Sequence, residues 1–190
     1  MTQENTVVAL QLWLAEQGID TTTWGRNGAK TVSDLWDELQ NGDIKLHGDP
    51  PLREVALVQV FIWREQQVLL ELAQEFDSGY QRQRLIPPSE KLRGGESYQE
   101  AAVRGLYEEM GIAPENICFV ADSYRQFYRD TVSPSYPGLP TRYTVHRIEA
   151  EVTGLPDVDF WWENEAHGAG DPVRRHQWGW RPAADIPPFR

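Results

Sequence analysis

The chain has 190 residues, a length that suits one domain, or one domain with a small appendage. Its composition, 40% hydrophobic and 25% charged, argues against wholesale disorder. Its formal net charge of −11 argues against a protein that coats nucleic acid through general attraction to phosphate. A small phosphate ligand is still allowed, since it needs only a local basic patch or a bound cation.

The single cysteine and the start of the chain indicate the compartment. Cys118 has no second cysteine to pair with, so neither a disulfide nor a cysteine-based zinc site can form within the chain, which is typical of a reducing environment. Residues 1–5 lack the basic start and apolar stretch of a secretion signal. No apolar run approaches the roughly 18 residues of a membrane span. We therefore expect a cytoplasmic protein with no membrane partner.

Residues 1–52 are predicted to form a helical extension. Apolar residues within 6–17 indicate a first helix, and those within 32–39 follow the three- and four-residue spacing of an amphipathic second helix. Thr31 or Ser33 can cap the second helix. Neither helix can bury its apolar stripe alone, so we expect both to pack on the main domain.

Residues 53–190 are predicted to form a layered α/β domain. Apolar, β-branched runs indicate strands, and a segment with helical periodicity separates them. The predicted strands are 55–63, 68–72, 84–86, 117–128 and 143–152, with a short strand and a helical turn in 176–186. Strands that alternate with helices are typical of an α/β fold.

The helix predicted over 97–110 carries two adjacent carboxylates near its end. Ser97 is a good N-cap, and Gly111 is a natural helix stop. The helix dipole disfavours Glu108 and Glu109 near the C-terminus by about 0.3–1 kcal/mol each. A divalent cation would relieve this, because hard cations bridge carboxylates to substrate phosphates. Taken alone, such a pair on a helix is usually solvated surface, and it is the preceding loop that favours a site.

Residues 90–112 resemble the Nudix box, G-x5-E-x7-R-E-U-x-E-E-x-G-U, in which U is a bulky aliphatic residue. Seven of the nine specified positions match. They are Glu96, Arg104, Leu106, Glu108, Glu109, Gly111 and Ile112. The resemblance covers about residues 53–190 and implies an α/β/α sandwich with a mixed central sheet, to which the N-terminal helical extension is added.

The resemblance implies a reaction and a cofactor. Nudix proteins are mostly Mg²⁺- or Mn²⁺-dependent hydrolases of a diphosphate linked to another group. By position, Glu109 would be a direct metal ligand, and Glu108 would bind the metal directly or through water. Arg104 would orient the glutamates, and Glu96 would link the loop to the helix. A diphosphate concentrates negative charge, so cations must neutralise it before water can attack.

Two positions depart from the box. The first helix glutamate of the pattern is Gly105 here, which removes a family metal ligand and costs roughly 1 kcal/mol of helix stability against alanine. The first glycine of the pattern is Glu90 here, which tolerates a positive φ poorly. One hypothesis is that the Glu90 carboxylate replaces the one absent at Gly105, and the alternative is that Glu90 is an exposed loop charge.

Residues outside the helix are further candidates. Glu163, Glu165 and His167 lie in a late loop and could activate water, or they could be ordinary polar loop residues. Arginine, lysine and tyrosine side chains could bind phosphate or stack on a base. The alternative, which is the more common case, is that they are strand residues that pack or face water. These candidate substrate-binding residues are Arg84, Lys91, Arg93, Arg125 and Tyr143.

The sequence thus predicts a hydrolase that cleaves a diphosphate linkage in a nucleotide-type small molecule. A second hypothesis is a Nudix-fold module that binds a nucleotide as a sensor or regulator without turnover, which Gly105 favours. A third is an interaction protein that uses its tryptophan-rich surface and binds no metal. The resemblance also allows a homodimer.

Overall fold

The structure is a computed structural model that describes residues 3–26, 28–133, 135–168 and 172–185. Ile186, at the end of the predicted terminal segment, lies outside the described residues. Contacts between residues divide the chain into two compact units. The first unit comprises Met1–Ala56, Lys91–Glu96 and Phe127–Val145, and the second comprises Leu57–Glu90, Ser97–Gln126 and His146–Arg190.

Both predicted helices of the first unit are present. Helix α1 spans Gln3–Glu16, and helix α2 spans Val32–Gln40. Thr31 caps α2 because its side chain accepts a hydrogen bond from the backbone N–H of Asp34, whose carboxylate accepts one from the N–H of Thr31. This capping box provides partners for backbone donors that the start of a helix leaves open.

A strand follows these helices within the segment predicted to be helical. Strand β1 spans Ile44–Gly48 and pairs antiparallel with the start of strand β2, which spans Pro51–Arg64. The extension is therefore only partly helical, because a β-hairpin forms at its end. The buried apolar residues that pack together in the first unit are Leu10, Leu14, Ile19, Trp24, Leu35, Ile44, Val55, Tyr136 and Leu139.

The remaining elements follow in chain order. The strands are β3 (Gln67–Phe76), β4 (Gln81–Ile86), β5 (Ser89–Lys91), β6 (Ile117–Phe119), β7 (Arg125–Val132), β8 (Pro140–Val152), β9 (Phe160–Glu163) and β10 (Val173–Pro182). Helix α3 spans Tyr98–Met110, and single 3₁₀ turns span Pro114–Asn116 and Ala183–Asp185. None of the helices among the described residues combines the length and apolar character that crossing a membrane would need.

The strands form one sheet in the order β6-β8-β2-β3-β10-β9. In addition, β1 and β5 pair with β2, β4 pairs with β3, and β7 pairs with β8. Strand β3 is buried from Val68 to Glu75 because β10 and β4 flank it and both of its faces are covered. The strand predicted over 117–128 is divided into β6 and β7. The interruption includes Asp122, whose φ of 57° is incompatible with an extended strand.

Candidate active site

Helix α3 has the two ends that its sequence predicts. The Ser97 hydroxyl accepts a hydrogen bond from the N–H of Glu100, and the Glu100 carboxylate accepts one from the N–H of Ser97. Gly111 ends the helix in the left-handed region, with φ of 64°, where a residue without Cβ carries no steric penalty. The helix buries a continuous stripe, which places its charged residues along one edge. The buried residues are Ala101, Ala102, Gly105, Leu106 and Met110.

Arg104 lies between two carboxylates. Its Nη1 atom is 3.1 Å from Glu90 Oε1 and 3.3 Å from Glu108 Oε2. The three side chains are between 15% and 23% exposed, so solvent screens their charges less than it would on the open surface. The structure therefore brings together three of the predicted site residues, all in the second unit: Glu90, Arg104 and Glu108.

The two departures from the box meet in one contact. A β-carbon placed on Gly105 would lie 2.7 Å from Glu90 Cβ and 3.0 Å from Glu90 Cγ, closer than real side chains approach. Gly105 is glycine because the stem of Glu90 occupies the space that a side chain would need. Glu90 lies in the extended strand β5, so it does not need the positive φ expected from the glycine of the pattern.

The end of α3 is bonded to two later segments. The carbonyl of Glu108 accepts a hydrogen bond from the N–H of Glu165 at 2.8 Å, and the carbonyl of Glu109 accepts one from Trp178 Nε1 at 3.3 Å. These carbonyls have no acceptor role within the helix, so the bonds satisfy groups that every helix end exposes. The late loop is therefore held against the end of the helix that carries the adjacent glutamates.

We expect Gly111→Ala to lower the free energy of unfolding by about 1–3 kcal/mol more than Gly18→Ala does. Both glycines have a positive φ, 64° and 75°, so both replacements carry the same backbone penalty of roughly 1–2 kcal/mol. A β-carbon at Gly111 would also overlap the ring of Trp162, whereas no described atom lies within 4 Å of one at Gly18. Equal losses of unfolding free energy in urea denaturation would contradict the close packing of Trp162, in β9, against the end of α3.

The late-loop candidates are exposed. Glu163 and Glu165 are both exposed, and His167 Nε2 lies 3.1 Å from an oxygen of Asp77. The residue that shapes this loop is the buried Asn164, which donates from Nδ2 to the carbonyl of Val173 at 2.9 Å and accepts from the N–H of Ala166 at 3.0 Å. Sequence reasoning missed Asn164 because one asparagine between charged residues gives no signal of burial.

The box loop, residues 91–96, belongs to the first unit. Glu96 accepts a hydrogen bond from the N–H of Arg93 at 2.9 Å, and its own N–H donates to the Arg93 carbonyl at 3.0 Å. Lys91 Nζ lies 2.9 Å from Glu38 Oε1. The link from Glu96 to the helix stays a prediction.

The other proposed substrate-binding residues engage neighbours within their own units. Arg84 Nε donates to Glu71 Oε2 at 3.0 Å, and Arg125 Nη1 donates to two backbone carbonyls of its own turn. The Tyr143 hydroxyl donates to Ser133 Oγ at 3.4 Å. A role for these residues in binding substrate stays a prediction.

Sequence reasoning also missed a buried acid in the second unit. Glu71 is buried, and its Oε1 lies 2.6 Å from His176 Nδ1. Burial raises the pKa of Glu71, but the hydrogen bond from His176 and the charge of Arg84 outweigh burial, so the pKa is lowered and the carboxylate stays ionised at neutral pH. The two partners are 105 residues apart, and no local pattern connects them.

A divalent metal is the cofactor that the box implies. Among the described residues, no three or more acidic, histidine or cysteine side chains are already grouped as metal ligands. Glu90 and Glu108 converge on Arg104 instead. The donor set is nevertheless composed of carboxylate oxygens, which are the ligands that Mg²⁺ and Mn²⁺ prefer. The residues present thus fit such an ion in their chemistry.

The capped helix and its carboxylates define a domain of known type. A family model described as the NUDIX domain matches residues 53–188. That match covers most of the chain, and the chain belongs to the NUDIX family. The predicted Nudix resemblance and the α/β class with a mixed sheet are confirmed.

Several solved structures are also similar. An Ap4A hydrolase from C. elegans is 19% identical with a TM-score of 0.34, over 68% of this chain and 81% of that one. The ORF135 protein of E. coli is 19% identical with a TM-score of 0.39, over 70% and 76%. An ADP-ribose pyrophosphatase from Streptococcus suis is 14% identical with a TM-score of 0.36, over 70% and 77%. No curated protein matches the chain.

Proposed function

We propose that this protein is a divalent-metal-dependent hydrolase that cleaves a diphosphate linkage in a nucleotide-type small molecule. Membership of the NUDIX family supports a hydrolase of nucleotide diphosphates at the family level. The observation that carries the proposal is the contact between Glu90 and Gly105. A carboxylate from β5 occupies the space beside the glycine and pairs with the same arginine as Glu108.

Glu108, Glu109 and Glu90 are the residues that would hold the metal. When bound, the ion would neutralise charge on the diphosphate and make the attacking water more acidic. Arg104 pairs with two of these acids, so it limits their mutual repulsion and directs both toward one place. We expect metal binding to draw the Glu90 and Glu108 carboxylates away from Arg104, with which both are paired.

Residues outside α3 are proposed to bind the substrate and to activate water. Lys91 and Arg93 of the box loop are proposed to bind phosphate oxygens, since cationic groups stabilise the charge of a transferring phosphoryl group. Arg84, Arg125 and Tyr143 are further proposed contacts to the substrate. Glu163, Glu165 and His167 are the proposed alternatives for activating water. Glu163 is the last residue of β9 and not a loop residue as predicted, whereas Glu165 lies in the following loop, which is bonded to the end of α3.

Two measurements on the same variants test this function. Nucleotide release from a panel of nucleoside diphosphate compounds is measured with Mg²⁺ or Mn²⁺, and Mn²⁺ affinity is measured by electron paramagnetic resonance without substrate. We expect Glu109→Gln to lower kcat/KM by roughly 100-fold or more, because a bound cation is worth several kcal/mol of transition-state stabilisation. We expect Glu90→Gln to weaken Mn²⁺ binding.

Glu115→Gln is the matched control, since Glu115 is an exposed glutamate of the short turn after α3. It should change neither release nor Mn²⁺ affinity. Mn²⁺ affinity that is the same in Glu90→Gln as in the unmodified protein would remove Glu90 from the ligand set. Release that is unchanged in Glu109→Gln would overturn the proposed active site.

A second function is favoured by a specific observation. Arg104 already pairs with both Glu90 and Glu108, and Gly105 provides no carboxylate. A domain with these features could bind a nucleotide as a sensor or regulator without cleaving it. Tight binding of a nucleoside diphosphate compound with no release of product would favour this function over hydrolysis.

A further inference from the structure

A buried acid in the first unit is surrounded by three cations. Glu38 lies in α2, and its side chain is only 8% exposed. Its Oε1 atom is 2.6 Å from Lys30 Nζ and 2.9 Å from Lys91 Nζ, and its Oε2 atom is 2.7 Å from Arg53 Nη2. Burial raises the pKa of Glu38, but the charges of Lys91, Arg53 and Lys30 lower it to about 2.

One of the three cations is buried together with the acid. Arg53 is itself buried, with a side chain 2% exposed, and its guanidinium also lies 4.8 Å from the centre of the Tyr136 ring. Arg53 alone can neutralise one carboxylate in such a site. The charge of Lys91 is nevertheless the largest of the three charge contributions that lower the pKa of Glu38. The bond also constrains Lys91, whose side chain is 37% exposed, because an ion pair removes rotational freedom from a long side chain.

The turn after α2 contacts the same loop through the backbone. A β-carbon on Gly42 would lie 3.2 Å from Gly94 Cα, and one on Gly94 would lie 3.7 Å from Gly42 Cα. The two backbones are thus in close contact at the middle of the box loop. The N–H of Leu92 donates to the Ala56 carbonyl at 3.0 Å, which holds the start of the loop to β2.

We propose that the N-terminal extension positions the box loop, and that Glu38 is the positioning residue that fixes Lys91. The turn at Gly42 supports the loop at Gly94. The inference rests on the proposed function in one respect, because Lys91 and Arg93 are there assigned to phosphate. It gives the extension a role that the resemblance does not provide, since the family match begins at residue 53.

Amide hydrogen exchange on the full chain tests the proposal without a substrate. The variants are Glu38→Gln, which removes the charge at constant size, and Lys91→Met, which leaves Glu38 with Arg53 and Lys30. Asp37→Asn is the matched control, because Asp37 is the exposed neighbour of Glu38 on α2. In both test variants we expect the amides of Leu92 and Glu96 to exchange about tenfold faster, as the loop opens locally.

The Ile19 amide, bonded to the Leu14 carbonyl at 2.9 Å, reports opening of the helical part. It should exchange at an unchanged rate in Lys91→Met. Loop amides that keep their exchange rates in Lys91→Met would overturn the proposal. Acceleration of Ile19 together with the loop amides would also overturn it, because Lys91 would then support the whole unit and not the loop. Because the exchange experiment uses no substrate, it tests the positioning of the loop even if the protein does not hydrolyse a diphosphate.

Discussion

Gly105→Ala is expected to destabilise the protein, and the same replacement is expected to stabilise a variant that already carries Glu90→Gly. Alanine is better than glycine in the interior of a helix by roughly 1 kcal/mol. In the unmodified protein this gain is opposed by overpacking of about 1–3 kcal/mol, because the added carbon would lie 2.7 Å from Glu90 Cβ. That atom is next to the backbone, so it cannot rotate away.

Replacing Glu90 by glycine removes Cβ and Cγ, the two atoms nearest to the added carbon. The helix preference for alanine then makes the change in unfolding free energy favourable. The measurement is a double-mutant cycle. Urea denaturation is compared for the unmodified protein, Gly105→Ala, Glu90→Gly and the variant that carries both changes. Comparison within each background cancels the cost of a glycine in β5. A gain in stability from Gly105→Ala in both backgrounds would mean that Glu90 does not pack on the helix, and the explanation of the two departures from the box would fail.

The stability difference between the unmodified protein and Glu38→Gln is expected to shrink as the pH falls from 5 to 2. The pKa of Glu38 is lowered from 4.5 to about 2 by its three cations. A group with a lowered folded-state pKa stabilises the protein above its unfolded pKa and loses that contribution as the pH falls through the folded value. For Glu38 the contribution is roughly 3 kcal/mol.

Glutamine does not titrate, so Glu38→Gln should be less stable than the unmodified protein at pH 7 and close to it at pH 2. Chemical denaturation at several pH values measures the difference, and Asp37→Asn serves as the control for a charge lost from the exposed side of α2. Glu71, whose pKa is also lowered, contributes equally to both proteins and cancels. A difference that stays constant between pH 5 and pH 2 would contradict the lowered pKa of Glu38.

Helix α3 and its ends could be predicted because the signals are local. The cap at Ser97 joins residues three apart, and the stop at Gly111 needs only a residue without Cβ. The spacing of the box then places Arg104 one turn before Glu108, and the structure shows these two side chains in contact. The division of 117–128 was not predictable, since the strand pattern gives no signal that Asp122 adopts a positive φ.

The amino-acid sequence by itself determined the family, the helix that carries the glutamates and the absence of two box residues, because spacing, capping and periodicity act within a few residues. Only the tertiary structure decided that Glu90 fills the space at Gly105 and that Glu38, 53 residues before Lys91, pairs with it. The physical reason is that such contacts depend on how strands and helices from distant parts of the chain pack, and side-chain pairs of that separation leave no trace in local pattern.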